Sequence, residues 1–138
     1  MAFEECYSMN LRRANRVLTQ YYDRYLADLG LRISQYSILR TLKYMGEGNQ
    51  KTIQEVLVMD QTTLTRNLKP LLRDGFIQTR PGEDKRERLV SLTPEGKALY
   101  TQATVEWKKA QKALNKTLGE DVMAQVLSVS GSLVHLKD

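Results

Sequence analysis

Residues 51–92 read KTIQEVLVMDQTTLTRNLKPLLRDGFIQTRPGEDKRERLVSL, and this stretch decides the fold. Thr52 followed by Glu55 has the form of a capping box and predicts a short helix through Val56, Leu57 and Val58. Asp60 carries the side chain of a second N-cap and opens a helix over 61–73, with Leu64, Leu68, Leu71 and Leu72 as its apolar stripe. Gly75 closes it. Two short helices joined by a tight turn form a helix-turn-helix. Beyond Gly75 the apolar period drops from about 3.6 residues towards about 2. Residues 76–80 predict a strand, Pro81 to Arg86 a charged turn, and Arg88 to Leu92 the return strand. A hairpin directly after a helix-turn-helix is a wing.

Helical patterns bracket this core. Leu11, Ala14, Leu18, Tyr21, Tyr25 and Leu29 recur at spacings of three and four and predict one helix over 8–29, stopped by Gly30. Ile38, Leu39, Leu42 and Met45 predict a helix over 34–45, ended by Gly46 and the polar run Glu47 to Lys51. Thr93-Pro94 opens a long helix to about 117, with a capping side chain followed by proline where its missing N–H is harmless. Gly119 breaks that helix, and a last one carries Val122, Val126, Val129, Leu133 and Leu136. The predicted fold is mainly α with a small β wing. It divides into an N-terminal dimerisation helix (1–31), a winged helix-turn-helix (32–92) and C-terminal dimerisation helices (93–138). The outer helices each keep an apolar stripe that the 32–92 core does not need, and the economical way to cover it is a layer shared with a second copy.

Composition narrows the function. In 138 residues, 21 Lys+Arg against 16 Asp+Glu give a net charge of +5, a mild tilt towards polyanions. One histidine, His135, and one cysteine, Cys6, cannot build a four-ligand zinc site within a chain, and no metal or cofactor is expected. There is no GxGxxG, phosphate loop, GxSxG or HExxH motif, so an enzyme is disfavoured. No apolar run approaches the ~20 residues of a membrane helix, and the acidic N-terminus is unlike a signal peptide. A cytoplasmic protein is the expectation.

At about 100° per residue, the helix over 61–73 points its leucines one way and Thr62, Arg66, Lys69 and Arg73 the other, with Thr63 and Asn67 on the flanks. Such a face suits a DNA major groove, where an arginine can fork onto a guanine. In the turn, Lys85, Arg86 and Arg88 are nearly cancelled by Glu83, Asp84 and Glu87. The functional reading is that Asp84 fixes Arg86 by an ion pair and Arg86 enters a minor groove. The candidate DNA contacts are therefore Thr62, Thr63, Arg66, Asn67, Lys69, Asp84, Lys85, Arg86 and Arg88.

These residues also carry a resemblance. Met59 to Leu68, then Leu72-Arg73-Asp74-Gly75-Phe76-Ile77, Gly82 to Arg86, and Val90-Ser91-Leu92-Thr93-Pro94-Glu95-Gly96 resemble the MarR (multiple antibiotic resistance regulator) family of bacterial transcription factors. The upstream Leu29-Gly30-Leu31, Ser34-Gln35-Tyr36 and Leu39 are similar to that family too. The match spans roughly 8–115, and its most specific element is Asp-x-Arg followed by a strand and Leu-Thr-Pro-x-Gly. The resemblance implies an obligate homodimer with interleaved terminal helices and two recognition helices in successive major grooves of a pseudo-palindrome. It also implies repression relieved by a small effector. By matched position Thr62, Thr63 and Arg66 would meet bases or phosphates, and Asp84 and Arg86 would make the wing contact. Two positions depart from the pattern. Arg32 stands where the family often has a capping Thr paired with Gln35, and Pro70 inside the recognition helix predicts a bend or an irregular last turn.

Outside the DNA-binding motif, Tyr7, Tyr21, Tyr22, Tyr25, Tyr36 and Tyr44 read mainly as core and dimer filling. A subset including Tyr36 is a candidate lining for a pocket taking phenolic or other amphipathic effectors, with Arg12, Arg13 and Arg16 as carboxylate partners. Cys6 is a candidate redox switch of the kind some family members use, which needs nearby cations; Glu4 and Glu5 oppose it, and Arg12 and Arg13 favour it. The rival reading from another class is a winged-helix module that docks a protein and ignores DNA.

Overall fold

The computed structural model describes residues 5–136 and places ten elements in chain order. They are α1 (Tyr7–Leu26), a 3-10 turn (Ala27–Leu29), α2 (Ile33–Met45), β1 (Glu47–Asn49), α3 (Gln50–Leu57), α4 (Gln61–Arg73), β2 (Ile77–Pro81), β3 (Arg88–Leu92), α5 (Pro94–Leu118) and α6 (Glu120–Val134). The sheet is antiparallel in the order β1-β3-β2, with Glu47 opposite Ser91, and Ile77 opposite Leu92. The winged helix-turn-helix and its flanking helices are thus present as expected.

Several boundaries move, each for a local reason. α1 ends at Leu26 because the chain tightens into the 3-10 turn, and Gly30, at φ 69°, sends it on to α2. Arg32 has no acceptor to cap α2, so the orphan donors find others. Arg32 N–H donates to Gln35 Oε1 (3.0 Å), and Ile33 N–H donates to Asp23 Oδ1 of α1 (2.8 Å). The capping box at Thr52 and Glu55 is not used: α3 starts earlier, at Gln50, because Asn49 Oδ1 accepts the Thr52 N–H (2.8 Å). The polar run after Gly46 contains strand β1, whose Gly48 leaves room for Met45 and Ile53. β2 begins after Phe76 and runs through Pro81, the last paired residue on an outer strand, where a missing N–H is tolerated. α4 continues without interruption past Pro70 to Arg73. Leu72 is 42% exposed and leaves the apolar stripe to Leu64, Leu68 and Leu71.

The core joins α2, α3, α4 and the sheet through Tyr36, Ile38, Leu39, Leu42, Ile53, Leu64, Leu68, Leu71, Ile77 and Val90. Each fully buried large side chain contributes roughly 1.5–3 kcal/mol, so the three α4 leucines alone hold that helix firmly. The wing and α5 are locked at one junction. Thr93 N–H donates to Phe76 C=O (3.1 Å), its hydroxyl donates to Gly75 C=O (2.6 Å), and Oγ1 accepts the Gly96 N–H (3.0 Å). A Cβ at Gly96 would fall 1.9 Å from the Phe76 carbonyl oxygen. By contrast α6 buries none of its residues fully, and Val122, Val126, Val129 and Leu133 face Leu11, Ala14 and Leu18 of α1 across an open apolar groove of about 480 Å³.

Two substitutions should move stability in opposite directions. Gly96→Ala should destabilise by at least about 1–3 kcal/mol, because a backbone carbonyl must shift. Val58, in the turn between α3 and α4, is the only non-glycine with positive φ among the described residues (50°), and it is 71% exposed. Val58→Gly should therefore stabilise by up to about 1 kcal/mol, since a β-branched residue is strained there. Chemical denaturation of both variants checks the signs.

Candidate nucleic-acid interface

α4 is fixed by its leucines on one side and capped at its start. Asp60 Oδ1 accepts the Thr63 N–H (2.7 Å), and Oδ2 accepts the Thr63 hydroxyl (3.1 Å). These bonds hold the Asp60 carboxyl below the ordinary aspartate range. The opposite side presents Gln61, Thr62, Thr65, Arg66 and Lys69, all exposed. Thr62, Arg66 and Lys69 therefore share one open face. Gln61 and Thr65 were missed in the sequence, although Thr65 lies one turn from Thr62 and Lys69 and a helical wheel includes it. Thr63 and Asn67 serve the scaffold. Asn67 Oδ1 accepts from the Ser34 hydroxyl (2.9 Å) and its Nδ2 donates to Thr63 C=O (2.9 Å), tying α4 to the start of α2. Arg73 is paired with Asp74 (3.0 Å).

In the wing, Asp84, Lys85, Arg86 and Arg88 are exposed together at the tip. The expected ion pair between Asp84 and Arg86 is absent among the described residues. Asp84 Oδ1 instead accepts the Arg86 backbone N–H (3.0 Å), so it shapes the turn and leaves the guanidinium to solvent. The strands of the wing are stapled by Arg80, which pairs with Leu89 one step before the turn and whose guanidinium forks onto Glu47 (2.6 and 2.7 Å) across β3. Those hydrogen bonds lower the Glu47 pKa and raise that of Arg80. The charges of the turn stay exposed, while Arg80 and Glu47 on the strands are paired.

The remaining candidates fall in two places. Arg12 and Arg16 line a shallow recess with Cys6, Ser8 and Met9. Cys6 is exposed and is the N-cap of α1, its Sγ accepting the Met9 N–H at 3.4 Å. Arg13 is exposed on the same helix. Tyr36 is elsewhere and closed off: it is 1% exposed, stacked on Tyr100 and Trp107, and hydrogen-bonded to Thr104 Oγ1 (2.9 Å). Burial pushes its hydroxyl pKa up. Beside it, Arg40 lies over the Trp107 ring at 4.6 Å, a cation in the α2–α5 seam that periodicity did not mark.

Comparison with known proteins places this architecture. The model described as the MarR family matches residues 31–87. The uncharacterized HTH-type transcriptional regulator YwoH of Bacillus subtilis is 36% identical over 104 residues, covering 75% of this chain and 76% of that protein. The organic hydroperoxide resistance transcriptional regulator of the same species is 34% identical over 113 residues, covering 81% and 76%. The chain belongs to the MarR family. Among solved structures, the M. tuberculosis transcriptional regulator MOSR in complex with DNA superposes with a TM-score of 0.81 at 29% identity, covering 96% of this chain and 100% of that one. This MarR-family chain is a winged-helix transcriptional regulator. No helix among the described residues is long and apolar enough to cross a membrane.

The Asp60 cap has a pH signature. Its folded pKa is depressed, so the ionised cap stabilises above the ordinary aspartate range, and that contribution is lost as pH falls through the lower folded value. Asn caps nearly as well without titrating. Melting curves from about pH 7 to about pH 3 should show the wild-type advantage over Asp60→Asn shrinking in acid. A difference independent of pH would contradict this account of the cap.

Proposed function

We propose that this chain is a homodimeric, sequence-specific repressor of transcription that binds pseudo-palindromic duplex DNA in the bacterial cytoplasm and is released by a small amphipathic or phenolic effector. The observation that carries the reading is the division of α4. Leu64, Leu68 and Leu71 lock it into the core, and Thr62, Thr65, Arg66 and Lys69 stand free on the other side. A helix so held can enter a major groove with little reorganisation, while Arg86 and its neighbours on the wing reach the adjoining minor groove. Thr63, Asn67 and Asp84 act in this reading by shaping α4 and the turn, and Lys85 and Arg88 by meeting phosphates.

The groove between α1 and α6 supports the dimer. A helix with no fully buried residue and a row of valines and a leucine facing water is incomplete until a second copy covers it. For the effector, Arg12 and Arg16 supply the cations a carboxylate would meet, and Tyr36 enters only as the packed wall of the α2–α5 seam.

Selection from a random duplex pool, followed by titration of the winning site at several salt concentrations, tests the reading. A pseudo-palindrome with half-sites about one helical turn apart is expected, with affinity falling steeply as salt rises. Arg66→Ala should lose ~1–3 kcal/mol and relax one base position, and Arg86→Ala should weaken all sites alike and flatten the salt slope. Val126→Glu, in the groove, should give a single-chain mass on sedimentation and abolish tight binding. No enriched site, or two arginine variants that bind like wild type, would contradict the proposal.

A further inference from the structure

The wing tip is fastened to the first helix of the helix-turn-helix by one side-chain bridge. Asn49 closes β1 opposite Leu89 and caps α3 through Oδ1, and its Nδ2 donates to Glu87 Oε1 at 2.6 Å. Glu87 in turn closes the tip with its backbone. Gly82 N–H donates to Glu87 C=O and Glu87 N–H donates to Asp84 C=O, both at 2.9 Å. The Glu87 side chain folds back across Gly82, where an added Cβ would come 2.8 Å from Oε2 and 3.1 Å from Cβ. Glu87 is also half-buried, whereas Glu83, Asp84, Lys85, Arg86 and Arg88 are exposed. It is the one charge of the tip that faces the protein.

We propose that Glu87 is a positioning residue for DNA binding: through Asn49 it registers the wing on α3, so that Arg86 and the open face of α4 meet the duplex in one fixed geometry. The inference rests on the DNA-binding reading above. It also runs against simple charge counting. If Glu87 merely diluted the basic tip, removing it would raise the net charge and tighten binding to a polyanion. If it positions the wing, removing the acceptor frees the tip and binding weakens despite the extra positive charge.

Asn49→Asp separates the bridge from the helix cap. An aspartate caps α3 as well as asparagine does, but it loses the donor and faces Glu87 with a like charge. Glu87→Gln alone keeps an acceptor for Asn49. The double variant Asn49→Asp, Glu87→Gln restores a hydrogen bond with donor and acceptor exchanged, and its net charge equals that of wild type. The measurement is affinity for two duplexes, the selected site with its flanking minor grooves and the same site trimmed to the two major-groove half-sites. The wild type should gain affinity from the flanks. Asn49→Asp and Glu87→Ala should lose about tenfold on the full duplex and nothing on the trimmed one, Glu87→Gln should behave as wild type, and the double variant should recover the gain. Hydrogen exchange at the Gly82 and Glu87 amides should speed up in Asn49→Asp and slow again in the double variant. A flank gain that survives Asn49→Asp, an equal loss on both duplexes, or tighter binding by Glu87→Ala would overturn the proposal alone. A wild type that binds neither duplex would sink the DNA-binding reading itself.

Discussion

Thr93 holds the parts of this molecule in one frame. Its hydroxyl bonds the end of the α4 turn at Gly75, its N–H bonds Phe76 at the entrance to the wing, and its oxygen caps α5 at Gly96. The contact between Phe76 and α5 is so close that position 96 has no room for a side chain. The consequence is mechanical: recognition helix, wing and the long helix α5 leave one point in fixed directions. A displacement of α5 is therefore carried to α4 and the wing together.

The charge arrangement follows the same division between frame and working surface. Arg73 and Arg80 are held by Asp74 and Glu47, one pair at the end of α4 and the other across the strands of the wing. Among the described residues, no ion pair engages Arg66, Lys69, Lys85, Arg86 or Arg88. A net charge of +5 would say little by itself, but these unpaired cations are gathered on the outer face of α4 and at the wing tip, the arrangement on which the proposed DNA contact rests.

The elements with strong local signals were legible in the sequence. The leucine period over 61–73 and the side chains of Asp60 and Thr93 fixed α4 and the start of α5 almost to the residue, because burial and capping both act locally there. What escaped depended on partners far away along the chain. β1 is three residues long, too short for an alternation, and exists because β3 pairs with it. Asn49 displaced the capping box at Thr52 because β1 delivers it to the start of α3. Pro70 left no interruption, because tertiary packing of Leu68 and Leu71 on either side outweighs one lost hydrogen bond. At the site, the outward face of α4 was readable by angle alone. The engagement of Asn67 by Ser34, 33 residues away, and the turn-shaping bond from Asp84 to the Arg86 backbone were not.

The most direct test of the account is a hydroxyl-radical footprint of the protein on its selected duplex. The expected pattern is two equivalent protected segments on one face of the DNA, about one helical turn apart, each flanked by protection of the adjoining minor groove. One isolated protected segment, or protection that spreads evenly without a two-fold centre, would contradict a dimer reading two half-sites with α4 and the wing.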